Sequence, residues 1–453
     1  MIRFLFIIIL LNISFCSLLT AENTGLQLKL NKWAASQKKL NLGVSLVDVD
    51  SETVIFSHNA AQVLKPASVL KLVTTHAALE ILGPEYQFTT QVFTTGFDGS
   101  FIDKLIIKGG ADPTFTTESA WMLVREVKRR GIKSVGQLVL DASRVVESAE
   151  RQGQRAYESG SSALPLNFNS IFFEICPTGI NGPALVKQDP YEYPVVISGK
   201  ISTAAKDGTY AIDEVADASF EISGKIRKQL GCQKVYRSIR NPIDYFGRVI
   251  TALLLKEGIE IKQGFSAAPR PKSATIFTEL KSKPLAIILR DLNHYSTNFT
   301  AEQILLAISE DSNGQMSRSK GLSLMTKAAK GFYQDGKYQI ADASGLSHEN
   351  RISSALLTKI LLNAAREPSI FTPFIASLSH YGRSGTLKNR HGVNSKGIFA
   401  KTGTINNVRT LAGYAYNRSN RLMAFAMLQN NVGSIPNANR LEDEFLNLIV
   451  NSQ

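Results

Sequence analysis

The alternation of apolar and polar positions sorts the chain into three stretches. Near the start, "LGVSLVDVD" and "TVIFSHN" are two strand-like runs joined by a short Asp50-Ser51-Glu52 turn, which predicts a hairpin. The period then changes. Val69, Leu72, Val73, Ala77, Ala78, Leu79 and Leu82 predict a helix with little polar surface, entered after Pro66 and ended by Gly83-Pro84. A helix of that kind belongs inside a domain. A further helical pattern, "LQLKLNKWAASQKKL", precedes the hairpin. At the other end, "GIFAKTGTI", "TLAGYAYN" and "LMAFAMLQN" have strand composition, with a turn at Arg418-Ser419-Asn420, and "ANRLEDEFLNLIV" is an amphipathic helix. The two ends can build one sheet covered by helices. Between them, roughly Phe88 to Lys283, lie short strand-like runs such as "FTTQVFTTG", "KLIIKGG" and "SIFFEICP", each bounded by Gly, Asp or Pro. The middle reads as a β-rich insertion, interrupted by a helix around Pro242–Glu257.

The first residues change the picture of where the protein works. "MIRFLFIIILLNISFCSLLTAEN" has one Arg, an apolar run from Phe4 to Leu11, and small or polar residues near Ala21. That run is shorter than the ~20 apolar residues a bilayer requires, so it predicts a secretory signal (1–21). The bulky Phe15 before Cys16 argues against a lipid-modified cysteine. The expected location is the periplasm or cell envelope. Removing the signal leaves 453 − 21 = 432 residues, more than one core of ~250–300 residues holds, so two or three domains are expected.

Charge and chemistry narrow the classes further. The net charge is +13, but the Lys and Arg are scattered and no nucleic-acid-binding motif accompanies them. Such a surface suits peripheral contact with anionic envelope polymers, or is simply well solvated. The six histidines, at 58, 76, 294, 348, 380 and 391, form no paired spacing, so no metal or other cofactor is expected. Cys176 and Cys232 either pair outside the cytoplasm or stand as separate buried thiols.

Three motifs then appear in order. "KPASVLKLVTTH" places Ser68 three residues before Lys71, at the start of the buried helix. "NHYSTNFTAEQIL" carries Ser296-Thr297-Asn298 ahead of a helical run, and "FAKTGTINN" carries Lys401-Thr402-Gly403 on a predicted strand. Ser-x-x-Lys recurs at Ser36–Lys39 and Ser317–Lys320, and Ser-x-Asn recurs at Ser57-His58-Asn59, so neither decides alone. Order and context together do, as the signature set of penicillin-interacting serine acyltransferases. A Ser hydroxyl needs an adjacent base, and Lys71 can serve if burial and a facing Lys401 lower its pKa from ~10.4. Ser296 can relay a proton to the leaving amine, and Asn298 can hold a peptide backbone. Lys401, Thr402 and Thr404 can bind a terminal carboxylate. The spacing from Ser68 to Ser296 is 296 − 68 = 228 positions and from Ser296 to Lys401 is 401 − 296 = 105, so the insertion lies between the first and second motifs.

With those motifs, the chain resembles the class C low-molecular-mass penicillin-binding proteins, the D-alanyl-D-alanine carboxypeptidase/endopeptidase family of penicillin-binding protein 4 type. "IIKGGADPTF" (Ile106–Phe115), "SALPLNFN" (Ser162–Asn169), "SKPLAIILRDLNHYSTNFTAEQIL" (Ser282–Leu305), "DASGLSHENRIS" (Asp342–Ser353) and "RSGTLKNR" (Arg383–Arg390) share that family's pattern. The resemblance implies an α+β multi-domain protein. Its β-lactamase/transpeptidase-like, penicillin-recognising domain spans 22–87 and 284–453, inserted domain II spans 88–112 and 181–283, and nested domain III spans 113–180. It also implies catalytic Ser68, Lys71, Ser296, Asn298 and Lys401, substrate contacts from Thr402, Gly403 and Thr404, and oxyanion donors in the N–H groups of Ser68 and Thr404. The implied partners are peptidoglycan stem peptides, with β-lactams as covalent inhibitors. Asp342 and Ser344 are expected to brace the loop around Ser296, and Arg390 to orient the Lys-Thr-Gly strand. His294 reads as structural. His348 and Ala343 depart from the family's usual Arg and Gly, and neither Glu150 nor Glu158 aligns with its acidic residue for a stem-peptide amine. Two other readings remain: a β-lactamase or esterase of the same fold, and an idle wall-binding scaffold.

Overall fold

The computed structural model describes residues 25–37, 40–332, 338–394 and 396–453; the expected signal segment lies outside them. The chain divides into two compact units. One comprises residues up to Glu85 with Leu285–Thr297 and Leu322–Gln453, and the other comprises Tyr86–Pro284 with Asn298–Gly321. The first unit is thus assembled from three separate stretches of chain, and Asn298–Gly321 groups with the second.

The first unit is built on a six-stranded antiparallel sheet. In spatial order its strands are Ser379–His380, Ile398–Ile405, Val408–Tyr416, Leu422–Asn430, Asn41–Asp48 and Val54–His58. The expected hairpin is the far pair, and the expected C-terminal strands are the centre. Alternate residues of a strand point to opposite faces. On one face Leu42, Val44 and Leu46 pack with the helix at 25–35 and with Ile435–Val450. On the other, Ser45 Oγ meets Thr358 Oγ1 at 2.8 Å, on helix Ser354–Arg366. Helices Lys71–Leu82 and Pro368–Ser377 pack on that helix and on each other, and Leu285–Tyr295 packs on both of them.

The second unit is less purely β than its composition suggests. A mixed sheet joins Thr89–Asp98 and Phe101–Lys108, antiparallel, to Ser134–Asp141, which runs parallel to Phe101–Lys108. Parallel neighbours need a crossover, and helix Thr117–Arg129 lies on it. Its buried Ala120, Leu123, Val124 and Val127 fall at helical spacing, with Glu118 in the first turn and Lys128 and Arg129 in the last, as the helix dipole favours. The expected helix at Pro242–Lys256 packs beside it. Smaller sheets contain Ser170–Cys176 with Gln233–Ser238, and Tyr210–Ala216 with Ser219–Arg227. Cys176 and Cys232 are joined by a disulfide. Helix Asn298–Ile308 belongs to this unit through Gln303, whose fully buried side chain accepts from Ser162 N at 2.9 Å and donates to the carbonyls of Ala111 and Ser162.

Candidate active site

Ser68 lies in a short 3-10 turn, Ala67–Leu70, just ahead of helix Lys71–Leu82. In a 3-10 turn residues three apart eclipse one another, which brings Lys71 over Ser68. Lys71 Nζ donates to Ser68 Oγ at 3.0 Å and to the Ser344 carbonyl at 2.5 Å. Lys71 is fully buried and Ser68 is half-buried. The turn is strained, for Ala67 has φ 47°, a left-handed conformation that costs a side-chain-bearing residue about 1–2 kcal/mol. Two neighbours hold it there. Thr410 Oγ1 donates to the Pro66 carbonyl at 2.8 Å, and Gly345 packs so tightly that a Cβ on it would stand 1.9 Å from the Ala67 carbonyl oxygen.

The loop carrying Gly345 therefore braces the Ser68 turn rather than the Ser296 loop expected from sequence. Asp342 accepts from the N–H groups of Gly345 and Ser347, both at 2.6 Å, and from Asn350 Nδ2 at 2.9 Å, which holds the Ser344 carbonyl on Lys71. Thr74 Oγ1 donates to the Ala343 carbonyl at 2.7 Å from the same helix as Lys71. His348 lies 3.3 Å from Lys65 Nζ.

Ser296 follows directly on helix Leu285–Tyr295, with φ 58°. That helix is fixed by Asn293, whose Nδ2 donates to Thr75 Oγ1 at 3.0 Å and Ser377 Oγ at 2.9 Å, and by His294 Nε2, 2.9 Å from the Leu378 carbonyl. His294 is structural, as expected. Lys401, fully buried on strand Ile398–Ile405, donates to Ser296 Oγ and to the Thr402 carbonyl, both at 2.8 Å. Burial, then the charge of Lys71, then that of Arg409 hold Lys401 well below the usual lysine range. Two residues along, a Cβ on Gly403 would stand 2.8 Å from Ser68 N and 2.2 Å from Thr410 Oγ1, so only glycine lets the strand pass Ser68 this closely.

The remaining expected residues are placed as follows. Thr402 Oγ1 donates to Thr386 Oγ1 at 2.7 Å, and Thr404 Oγ1 accepts from Arg409 Nη1 at 2.7 Å. Asn298 opens helix Asn298–Ile308 in the second unit, where its Nδ2 donates to the Tyr157 carbonyl at 3.1 Å. Nearby, Glu158 accepts from Arg155 N at 2.8 Å, a bond that closes its own loop. Arg390 acts at one remove from the Lys-Thr-Gly strand. It donates to Glu442 at 2.8 Å, and Glu442 accepts both Nε and Nη2 of Arg409, at 3.0 and 3.2 Å.

Sequence reasoning gave Thr386, Arg409 and Thr410 no role. Arg409 was within reach: the two-residue Asn406-Asn407 turn sets a hairpin register that pairs Thr404 with Arg409. Thr386 lies in the family-like "RSGTLKNR" segment but has no spacing that ties it to Thr402. Among the described residues, no cluster of His, Cys, Asp and Glu is arranged to hold a metal ion.

Comparison with solved structures identifies the architecture. The fold matches penicillin-binding protein 4 from Haemophilus influenzae, solved alone and with a novel β-lactam. With the former it shares a TM-score of 0.79 at 23% identity, covering 90% of this chain and 95% of that one. It also matches a predatory peptidoglycan endopeptidase from Bdellovibrio bacteriovorus, with a TM-score of 0.55 at 15% identity over 91% and 93% of the two chains. The architecture is therefore α+β and multi-domain, with the penicillin-recognising fold in its catalytic part. Two curated relatives are similar along most of their length: D-alanyl-D-alanine carboxypeptidase DacB of Haemophilus influenzae, 25% identical over 86% of this chain and 85% of its own, and a D-alanyl-D-alanine carboxypeptidase of Actinomadura, 27% identical over 86% and 77%. The chain belongs to the D-Ala-D-Ala carboxypeptidase 3 (S13) family, whose profile matches residues 26–446.

Proposed function

We propose that this serine peptidase is exported and cleaves the D-Ala–D-Ala end of peptidoglycan stem peptides through an acyl-enzyme on Ser68. The carrying observation is Lys71 Nζ, buried and 3.0 Å from Ser68 Oγ. Ser68 Oγ attacks the carbonyl carbon of the penultimate D-Ala, and its proton passes to Lys71. The N–H groups of Ser68 and Thr404 stabilise the oxyanion. The C–N bond then breaks, and Ser296, held by Lys401, hands a proton to the departing amine. Water hydrolyses the resulting ester by the same route, restoring Ser68. Asn298 holds the peptide backbone, while Thr402, Gly403 and Thr404 receive the terminal carboxylate. The same groove would open D-Ala–diaminopimelate crosslinks, an endopeptidase activity in keeping with the similarity to the Bdellovibrio enzyme. β-Lactams would acylate Ser68 and leave slowly.

An envelope location is consistent with the Cys176–Cys232 disulfide. Among the described residues no helix is long and apolar enough to cross a membrane, and the net charge of +13 would favour peripheral contact with anionic envelope surfaces. The test is intact-mass measurement after incubation with a labelled penicillin. A persistent single adduct on the wild type, absent from Ser68→Ala, is expected. Penicillin consumed without an adduct would make the protein a β-lactamase, and penicillin left intact would make it a scaffold.

A further inference from the structure

Thr404 and Thr402 stand two residues apart on one strand, yet their hydroxyls are used differently. Thr402 donates its proton to Thr386. The exposed Thr404 accepts from Arg409 Nη1 at 2.7 Å, and no other hydrogen bond of its hydroxyl is found among the described residues. An oxygen that accepts from a guanidinium turns its own O–H away from that donor, and its polarised O–H becomes a stronger donor in turn. Arg409 cannot swing aside. Its Nε and Nη2 grip both oxygens of Glu442, a carboxylate with no exposed side-chain surface. Glu442 is itself held by Arg390, which is anchored at 2.7 Å on the Asn439 carbonyl and at 2.5 Å on Asp443. The chain of contacts thus runs from the helix Ile435–Val450 through Arg409 to one hydroxyl at the rim of the site.

We propose that Arg409, braced by Glu442, is a positioning residue that aims the Thr404 hydroxyl at a substrate's free carboxylate beside the scissile bond and so makes the site prefer substrates that carry one. This rests on the peptidase reading above. A carboxylate accepts from Thr404 with either oxygen, whereas an ester or carboxamide presents a neutral and weaker acceptor. The fully buried Lys401 on the same strand has no carboxylate partner among the described residues, so an anion bound here would favour its protonated form.

The test compares Ser68 acylation by benzylpenicillin with acylation by its methyl ester, read by intact mass over time at a series of concentrations. Arg409→Met is combined with Glu442→Gln, so that no buried carboxylate loses its cation, and Thr404→Val removes the hydroxyl without touching the ion pairs. Each change is expected to slow acylation by the acid about 10–100-fold, the range for a hydrogen bond to a charged group, through weaker binding rather than a slower covalent step. Acylation by the ester should stay within about twofold for the Arg409→Met/Glu442→Gln pair, and for Thr404→Val the loss with the acid should exceed the loss with the ester. Combining the changes should cost little beyond either alone, because both remove one interaction. Parallel losses for acid and ester, additive losses, or an unchanged acid rate would each overturn the proposal. Equal wild-type rates for acid and ester would overturn it while leaving the acyl-enzyme reading in place. No wild-type acylation by either would remove that reading and the proposal together.

Discussion

Lys401 and Arg409 are two buried cations on neighbouring strands of one sheet, and the protein treats them in opposite ways. Arg409 is matched by a carboxylate on both of its faces of contact with Glu442, and the cluster Arg390, Arg409, Glu442 and Asp443 sums to zero charge. Burial works against the Arg390 charge, but Glu442 and Asp443 outweigh it and raise its pKa. Lys401 has a hydroxyl and a carbonyl for partners, and its pKa is depressed. The difference separates framework from site. Arg409 is neutralised by Glu442, whereas Lys401, on the Lys-Thr-Gly strand, has no carboxylate beside it among the described residues. Buried charge without a counter-ion is costly, which is why Lys401 is held well below the usual lysine range.

Three changes probe that contrast, from the largest expected effect to the smallest. Lys401→Met should slow acylation of Ser68 about 10²–10⁴-fold, the scale of a lost proton-transfer group. It should also raise stability at neutral pH by about 1–3 kcal/mol. The sign follows from the depressed pKa: between its folded value and 10.5 the unfolded chain binds more protons at this residue, so wild-type stability climbs with pH across that window. Urea melts should therefore show the variant's advantage fading as pH approaches 10.5; an advantage constant with pH would mean Lys401 is not strained by its charge. Glu442→Ala should do the reverse, costing about 3–5 kcal/mol by leaving Arg409 without its carboxylate and Arg390 with Asp443 alone. A melt within 1 kcal/mol of wild type, taken as an order-of-magnitude limit, would refute the claim that the cluster is framework. Tyr381→Phe, which deletes a 2.5 Å bond to Asp443, should cost about 1 kcal/mol at pH 7. Burial, then Asp443, pushes Tyr381 up to about 12. Its contribution is full below the unfolded value of 10.0 and lost as pH rises toward 12, so the variant should lose less stability than wild type across that interval.

What could be read from the sequence was what local pattern controls. The hairpin Asn41–Asp48 with Val54–His58, the buried helix Lys71–Leu82 and the three C-terminal strands follow from apolar spacing alone. The helix Thr117–Arg129 was equally legible, but its short, Gly- and Pro-bounded surroundings drew it into a β-rich reading. The pairing of Ser68 with Lys71 and the approach of Lys401 to Lys71 followed from motif chemistry, whereas the bond from Lys401 to Ser296 did not. Contacts set by tertiary approach were not legible. Nothing in the sequence ties Thr402 to Thr386, Arg409 to Glu442, or the Ser344 carbonyl to Lys71, because each depends on which loops the sheet brings together. The 3-10 geometry at Ser68 was likewise hidden, since it depends on Gly345 and Thr410 pressing on the turn from elsewhere.

The sheet of the first unit also dictates the order in which the protein can come into being on the ribosome. Val44 pairs with Met427, 427 − 44 = 383 positions later, and the Lys401 strand is held in register by Val408–Tyr416. The nascent hairpin with Ser68 thus waits, without its partner strand, while Tyr86–Pro284 is synthesised. Until Leu422–Asn430 has emerged the sheet lacks its centre, and the turn carrying Ser68, made early, waits for nearly the last strand.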